Sequence, residues 1–83
     1  MTITVRLFAA IRETLGRETL QLTMAQGATP EDVWAELIRL DAGGDLAARR
    51  RNLAAAINRK YAKFDATLVD GDEVVFIPPV SGG

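Results

Sequence analysis

The chain contains no cysteine and no histidine. Without cysteine it can form no disulfide bond and can hold no sulfur as a persulfide. Without histidine it has no imidazole metal ligand, and no Ser-His-Asp or Cys-His catalytic arrangement is possible. The sequence therefore predicts no metal site and lacks the parts of an independent enzyme.

Strong net charge and long apolar runs are also missing. Ten basic and eleven acidic residues leave a net charge of −1, so we expect no broad attraction to nucleic acid or to an anionic membrane. No apolar run approaches the roughly 20 residues that span a bilayer. Residues 1–8 alternate polar and apolar side chains, unlike a signal peptide. These features predict a cytoplasmic protein.

A chain of 83 residues has room for one small domain. Hydrophobic residues make up 48% and charged residues 25%, which is ordinary for a globular domain and argues against disorder. We expect residues 1–79 to form this domain and residues 80–83 to form a protruding tail.

Alternating side chains predict two strands near the N-terminus. Residues 2–8 alternate, with Phe8 on the face opposite the aliphatic side chains. Residues 18–24 alternate again, and residues 9–15 between them have the spacing of a short helical turn. We expect the two strands to form an antiparallel pair.

A helix is predicted to begin at Thr29 and Pro30. Thr29 supplies a capping hydroxyl, and proline is favoured at the first helical position. Gly43-Gly44 should end the helix, and residues 45–52 form either a loop or a helical turn. One apolar stripe should cover a face of the sheet: Val33, Trp34, Leu37, Ile38 and Leu40.

The C-terminal part adds further strands. We expect a third strand over residues 53–58, a short fourth segment within 63–68, a tight turn at Asp70-Gly71 and a last, central strand over 73–77. The order β, β, long helix, β, short β, β predicts the α+β class. It indicates a ubiquitin-like β-grasp, with a mixed sheet of four to five strands packed on one main helix.

The sequence ends in Pro78-Pro79-Val80-Ser81-Gly82-Gly83. The prolines stop strand pairing and start the tail extended, and the glycines fit passages too narrow for other residues. This composition favours a flexible tail that is inserted into a partner's active site through Pro79, Val80, Ser81 and Gly82. The alternative is a frayed terminus without a function.

The carboxylate of Gly83 is the remaining reactive group. Its pKa near about 3.5 makes it an anion at neutral pH and a poor electrophile. It must first be activated, for instance as an acyl-adenylate formed by an ATP-using partner. The activated acyl group can then accept an amine, giving an isopeptide-linked modifier, or sulfide, giving a thiocarboxylate.

Two charged clusters invite other interpretations. The acids around Asp70 fail the spacing of a calcium loop, because Ala66 and Leu68 stand where acidic ligands are needed, so we interpret them as turn formers. Arg49-Arg50-Arg51 is a single short cluster without interleaved aromatics. A solvated loop is favoured over an RNA or phosphate site.

An exposed apolar patch is predicted near the base of the tail. If the aliphatic face of the first strand packs on the helix, Phe8 faces away from it. If Phe76 of the last strand faces inward, Ile77 faces outward. Together with Tyr61 these side chains would line a patch of the kind that marks partner interfaces.

Two motifs resemble the small subunit of molybdopterin synthase, a ubiquitin-like sulfur carrier. Residues 8–13, Phe-Ala-Ala-Ile-Arg-Glu, resemble the family's F-A-x-x-R-E stretch. Residues 70–83 resemble its ending D-G-D-E-V-x-F-x-P-P-V-x-G-G. The resemblance covers essentially the whole chain except residues 43–52.

The resemblance implies a role for the tail and for its partners. An E1-like enzyme would use ATP to adenylate Gly83, which then becomes a thiocarboxylate. The tail would enter the large synthase subunit, in a heterotetramer of two small and two large subunits, and deliver sulfur to a cyclic pyranopterin. No bound cofactor is implied. Phe8, Tyr61 and Ile77 match partner-contact positions, and Arg12 matches the motif arginine.

Three alternatives remain open from the sequence. The chain could carry sulfur for another pathway, such as thiamine thiazole, cysteine or tRNA thiolation. It could be a protein modifier attached to lysines, although Lys60 and Lys63 are its only lysines and self-linked chains are disfavoured. It could also be a β-grasp binding module whose tail has no function.

Overall fold

The computed structural model describes residues 1–79. The strands in this part of the chain are β1 (Thr2–Arg6), β2 (Thr19–Thr23), β3 (Ala54–Ile57), β4 (Lys60–Ala62) and β5 (Glu73–Ile77). The helices are α1 (Ala9–Leu15), α2 (Pro30–Leu40) and a short 3₁₀ helix (Leu46–Arg49). No helix within residues 1–79 has the length and apolarity needed to cross a bilayer.

The strands form one mixed sheet in the order β2-β1-β5-β3-β4. β1 pairs in parallel with β5, whereas the pairs β1–β2, β3–β4 and β3–β5 are antiparallel. The predicted α+β class and β-grasp architecture are confirmed. So are the antiparallel N-terminal pair and the central position of β5.

The inner face of the sheet packs against α2. Val74 and Phe76 of β5 are both 0% exposed, as the alternation of β5 predicts. Trp34 of α2 meets the Phe76 ring edge-on with centroids 5.0 Å apart, and Phe64 stacks on the same ring at 5.9 Å. Burial of one such side chain contributes about 1.5–3 kcal/mol, so this aromatic cluster ties α2 to the central strand.

Helix α2 begins where the sequence predicts. The Asp32 N–H donates to Thr29 Oγ1 at 3.3 Å, and the Thr29 N–H donates to Asp32 Oδ2 at 2.9 Å, which forms a capping box. The helix ends at Leu40, before Gly43-Gly44. The prediction that Leu40 is buried is wrong, because it lies in the last turn and is 42% exposed beside a surface groove.

The fourth strand is displaced from its predicted place. It covers Lys60–Ala62, whereas residues 63–68 form a turn and irregular chain. Asn58 and Arg59 join β3 to β4 in a two-residue connection with φ values of +51° and +71°. This is the backbone of a tight hairpin. Arginine is unusual at positive φ, so the sequence gives no ordinary signal for this turn.

Residues 45–52 take the helical-turn alternative. The Asp41 carboxylate accepts hydrogen bonds from the Gly43 N–H at 3.2 Å and the Leu46 N–H at 2.8 Å. The Leu46 side chain is fully buried in the core. The arginine-bearing segment that follows is therefore anchored to the domain at its start.

We expect Thr29→Ala to lower the free energy of unfolding by about 1 kcal/mol, because the first turn of α2 loses its capping acceptor. Urea denaturation at pH 7 measures this change. Thr29→Ser is the matched control, since it keeps the hydroxyl and should stay close to the original stability. Equal stability of the alanine and serine variants would contradict a capping role.

Candidate functional site

Strand β5 carries the chain from the centre of the sheet to the base of the tail. Its last residue, Ile77, pairs with Ala54 of β3. Pro78 and Pro79 follow and offer no N–H for further pairing, and β5 ends at Ile77 as predicted. The predictions for residues 80–83, including the flexible tail and the reactive Gly83, lie outside the described residues.

Tyr61 and Ile77 lie on the outer face of the sheet. Ala56 of β3 is paired with Tyr61 on one side and with Val75 on the other, so these three residues form one row across the strands. Ile77 is two residues beyond Val75 and shares its face. Tyr61 is 79% exposed. The outward parity predicted for Ile77 is therefore confirmed, and the structure places Tyr61 on the same face.

Phe8 lies at the same end of the sheet as Ile77. The parallel pair β1–β5 reaches Arg6 and Val75, and Phe8 and Ile77 each follow by two residues. Phe8 is the N-cap residue of α1 and its side chain is 46% exposed. Whether the patch formed by Phe8, Tyr61 and Ile77 binds a partner remains a prediction.

Arg12 joins α1 to the start of β2 through an ion pair with Glu18 at 3.8 Å. Its side chain is half exposed. Exposed pairs contribute at most about 1 kcal/mol, so this pair does not commit Arg12 to a structural role. Its predicted contact with a partner stays a prediction.

The arginine run is not uniformly solvated. The Arg50 guanidinium forms a two-oxygen ion pair with Glu31, with a shortest distance of 2.9 Å, and lies 3.6 Å from the centre of the Phe64 ring. The hydrogen bond from Arg50 lowers the pKa of Glu31, and its reciprocal effect raises the pKa of Arg50. Arg50 therefore differs from the predicted solvated loop, because its guanidinium packs on the Phe64 ring, which in turn stacks on the buried Phe76 ring.

The acids before β5 form a turn, as predicted. Gly71 has a φ of +87°, and Asp70 Oδ1 accepts from the Thr2 N–H at 2.6 Å. Asp72 is nearly buried and accepts from the Asn58 amide and the Val69 N–H, both at 2.8 Å. These hydrogen bonds tie the start of β5 to β1 and to the β3–β4 turn.

The sequence profile of the ThiS family matches residues 5–83. The chain belongs to the ThiS family. The molybdopterin synthase sulfur carrier subunit of Escherichia coli strain K12 is 37% identical over 81 residues, covering 98% of this chain and 99% of that protein. The subunit of the same name from Chlamydomonas reinhardtii is 36% identical and covers 100% of both chains.

Solved structures agree with the ThiS-family assignment at the level of the fold. The small archaeal modifier protein 1 of Methanosarcina acetivorans superposes with a TM-score of 0.79 at 26% identity. The match covers 99% of this chain and 96% of that one. The two relatives and this neighbour match along nearly the whole chain, so the likeness is not confined to one motif.

Sequence reasoning missed one feature of this ThiS-family protein. A cleft of about 230 Å³ lies beside Pro78 and Pro79, between α1 and residues 48–53. No periodicity or motif relates these segments, because they are distant in the sequence and meet only in the folded chain. The prolines were the one signal that marked this place.

We expect Arg50→Gln to lower the free energy of unfolding by about 1–2 kcal/mol at pH 7, because an exposed ion pair and a cation–π contact are lost. The pKa of Glu31 is lowered in the folded state. The stabilisation from its ion pair is therefore present above the unfolded-state pKa and is lost as the pH falls through the folded-state value.

Urea denaturation at pH 7 and near pH 3 measures this dependence. The effect of Arg50→Gln should shrink at the lower pH, because protonation of Glu31 weakens its pair with Arg50 while the contact with Phe64 remains. Arg51→Gln is the matched control, since within residues 1–79 Arg51 forms no ion pair. A loss for Arg50→Gln that is equal at both pH values would show that the Glu31 pair contributes nothing.

Proposed function

We propose that this protein is the sulfur carrier subunit of a molybdopterin synthase. The observation that carries the proposal is the 37% identity to the Escherichia coli subunit of that name over nearly the whole of both chains. The β-grasp fold supports it, as does the central strand β5, which is followed by two prolines at the base of the tail. The absence of cysteine leaves the C-terminal carboxyl group as the place for the sulfur.

The chemistry begins at Gly83. An E1-like partner transfers AMP from ATP to the carboxylate and releases pyrophosphate. Sulfide then attacks the acyl carbon, the acyl–phosphate bond breaks, AMP leaves, and Gly83 becomes a thiocarboxylate. The thiocarboxylate sulfur then bonds to a carbon of the cyclic pyranopterin and displaces an oxygen substituent there. Water cleaves the acyl–sulfur bond, which leaves the sulfur on the acceptor and returns the carboxylate of Gly83. The nucleotide and the acceptor belong to the partners, because this chain offers no histidine or cysteine for the proton and sulfur transfers.

The large subunit is the proposed partner of the patch. Phe8 and Tyr61 expose apolar surface to solvent, and Ile77 is the last residue of β5, directly before the prolines. Burial of exposed aromatic side chains is a common source of interface affinity. A partner bound there would hold the base of the tail while residues 79–82 enter its active site. Arg12 is proposed at the edge of this contact, and the assembly is proposed to contain two copies of each subunit.

A protein modifier is the second candidate. The 26% identity and matching fold of small archaeal modifier protein 1 favour it, and the same activated carboxyl group could acylate a lysine. Sulfur carriers of other pathways share this chemistry and differ in the acceptor. The two relatives at 36–37% identity favour the molybdopterin synthase assignment over both.

Whole-protein mass spectrometry of the chain isolated from its native cells separates these functions. We expect a species in which sulfur replaces one oxygen at the C-terminus, because the carrier must hold sulfur between its two partners. Lysine-linked adducts without that species would favour a modifier. An unmodified mass that persists beside the activating enzyme would contradict both and favour a binding module.

Deletion of Gly83 should abolish sulfur transfer and leave the midpoint of thermal unfolding unchanged, because the reactive carboxyl group is displaced while the domain of residues 1–79 is untouched. Ser81→Ala is the control within the tail and should keep most activity. A large loss of thermal stability on deletion would mean that the tail has a structural role.

Phe8→Ala should weaken binding to the large subunit about 5-fold or more, since truncation of a buried aromatic contact typically costs more than about 1 kcal/mol. Calorimetric titration of the large subunit measures it. Val69→Ala is the matched control, because Val69 is also an exposed apolar residue but lies before β5, at the other end of that strand. Equal weakening by both variants would argue against a specific patch.

A further inference from the structure

The cleft beside Pro78 and Pro79 combines an apolar floor with cationic side chains. Ile11 of α1 and Leu53, just before β3, contribute apolar lining, and the two prolines form part of its wall. Arg49 and Arg51 also line it. The cleft thus lies at the base of the tail and carries the charge of the arginine run.

The three arginines divide into two groups with different tasks. Arg50 is occupied by Glu31 and Phe64. Arg51 has no ion-pair partner among residues 1–79, and Arg49 shares only its Nε with Asp45 at 2.8 Å. Two guanidinium groups therefore retain hydrogen-bond donors that are directed to no acceptor within the described part of the chain.

The backbone that carries these arginines is held in place. Asp41 accepts from the Leu46 N–H, and the Leu46 side chain is fully buried. Asp45 accepts from Thr14 Oγ1 at 3.1 Å, which ties the segment to α1. Arg50 anchors the other end. A fixed segment loses little conformational entropy when a partner binds, so the cleft is preorganised for recognition.

With the tail extended, the cleft lies apart from the reacting carboxyl group of Gly83. Four residues lead from Pro79 to Gly83, and an extended chain of that length spans at most about 14 Å. When the tail is extended into a partner's active site, the cleft therefore stays outside near the entrance. Arg49 and Arg51 then contact the partner's surface and not the reacting carboxyl group.

We propose that this cleft is a second docking site for the large subunit, and that it receives an acidic side chain on a short apolar segment of that subunit. The inference rests on the proposed function and adds a contact to it. Unpaired guanidinium groups select a carboxylate, the apolar floor selects a protein segment over a nucleic acid, and the adjoining prolines make the site continuous with the tail. The net charge of −1 also disfavours nucleic acid.

The test is titration of the purified large subunit with the full chain at low and high salt. Arg51→Gln should weaken binding about 5-fold at low salt, and the double variant Arg49→Gln/Arg51→Gln by about 10-fold or more, because charge-assisted hydrogen bonds are lost. The differences should shrink at high salt through screening. Arg59→Gln is the matched control with the same charge change in the exposed β3–β4 turn, and it should bind within about 2-fold of the original chain.

Thermal unfolding and sulfur loading of each variant complete the design. Unchanged unfolding of Arg51→Gln excludes a folding defect, and unchanged thiocarboxylate formation shows that the carrier function is intact. Binding equal to the original chain would overturn the docking site while leaving the proposed function standing. If the original chain does not bind the large subunit at all, both fail. A parallel titration with an RNA oligonucleotide tests the other ligand class. If the original chain binds that RNA and the arginine variants do not, the choice of a protein ligand is overturned.

Discussion

The double pairing of β5 is the constraint on which the rest of the structure depends. The chain makes two antiparallel strand pairs, β1–β2 and β3–β4, and β5 lies between them with hydrogen bonds to β1 and β3. A two-stranded pair alone is marginally stable in water. Insertion of β5 converts the two pairs into one sheet, and its buried Phe76 ties that sheet to α2 through Trp34. Because the last strand in the sequence is the central one, the chain emerges from the most constrained part of the fold.

This topology gives the proposed carrier a fixed base for its tail. Pairing holds β5 as far as Ile77, and the restricted φ of Pro78 and Pro79 continues that order past the sheet. A partner that binds at Pro78 and Pro79 therefore removes little conformational entropy from these two residues. Pro78 and Pro79 line the cleft, and Ile77 of the outer-face patch directly precedes them, so both proposed contacts adjoin the base of the tail.

Most of the fold could be predicted from local patterns because those patterns reflect burial. Alternation predicted β1 and β2, the β-branched and aromatic content of residues 73–77 predicted β5, and the Thr29-Pro30 signal predicted the start of α2. The prediction failed where local sequence does not decide: the β3–β4 turn places Arg59 at positive φ, and Leu40 extends past the buried part of its stripe. Strand parity placed Ile77 outward, whereas Tyr61 could not be placed by parity because the fourth strand was predicted within residues 63–68. The role of Arg50 depends on Phe64 and Glu31, which only the folded chain brings together.

Most charged side chains lie outside the apolar core that stabilises the fold. The core is apolar, and the exposed ion pairs of Arg6, Arg12 and Arg39 lie outside it, where solvent screening leaves each pair a small contribution to stability. Arg50 is the exception, since its guanidinium covers an aromatic ring of the core cluster. The Arg50 contacts also fix the backbone of its neighbours Arg49 and Arg51, whose side chains line the cleft. One short run of arginines can therefore contribute to stability through Arg50 and to the proposed docking through Arg49 and Arg51.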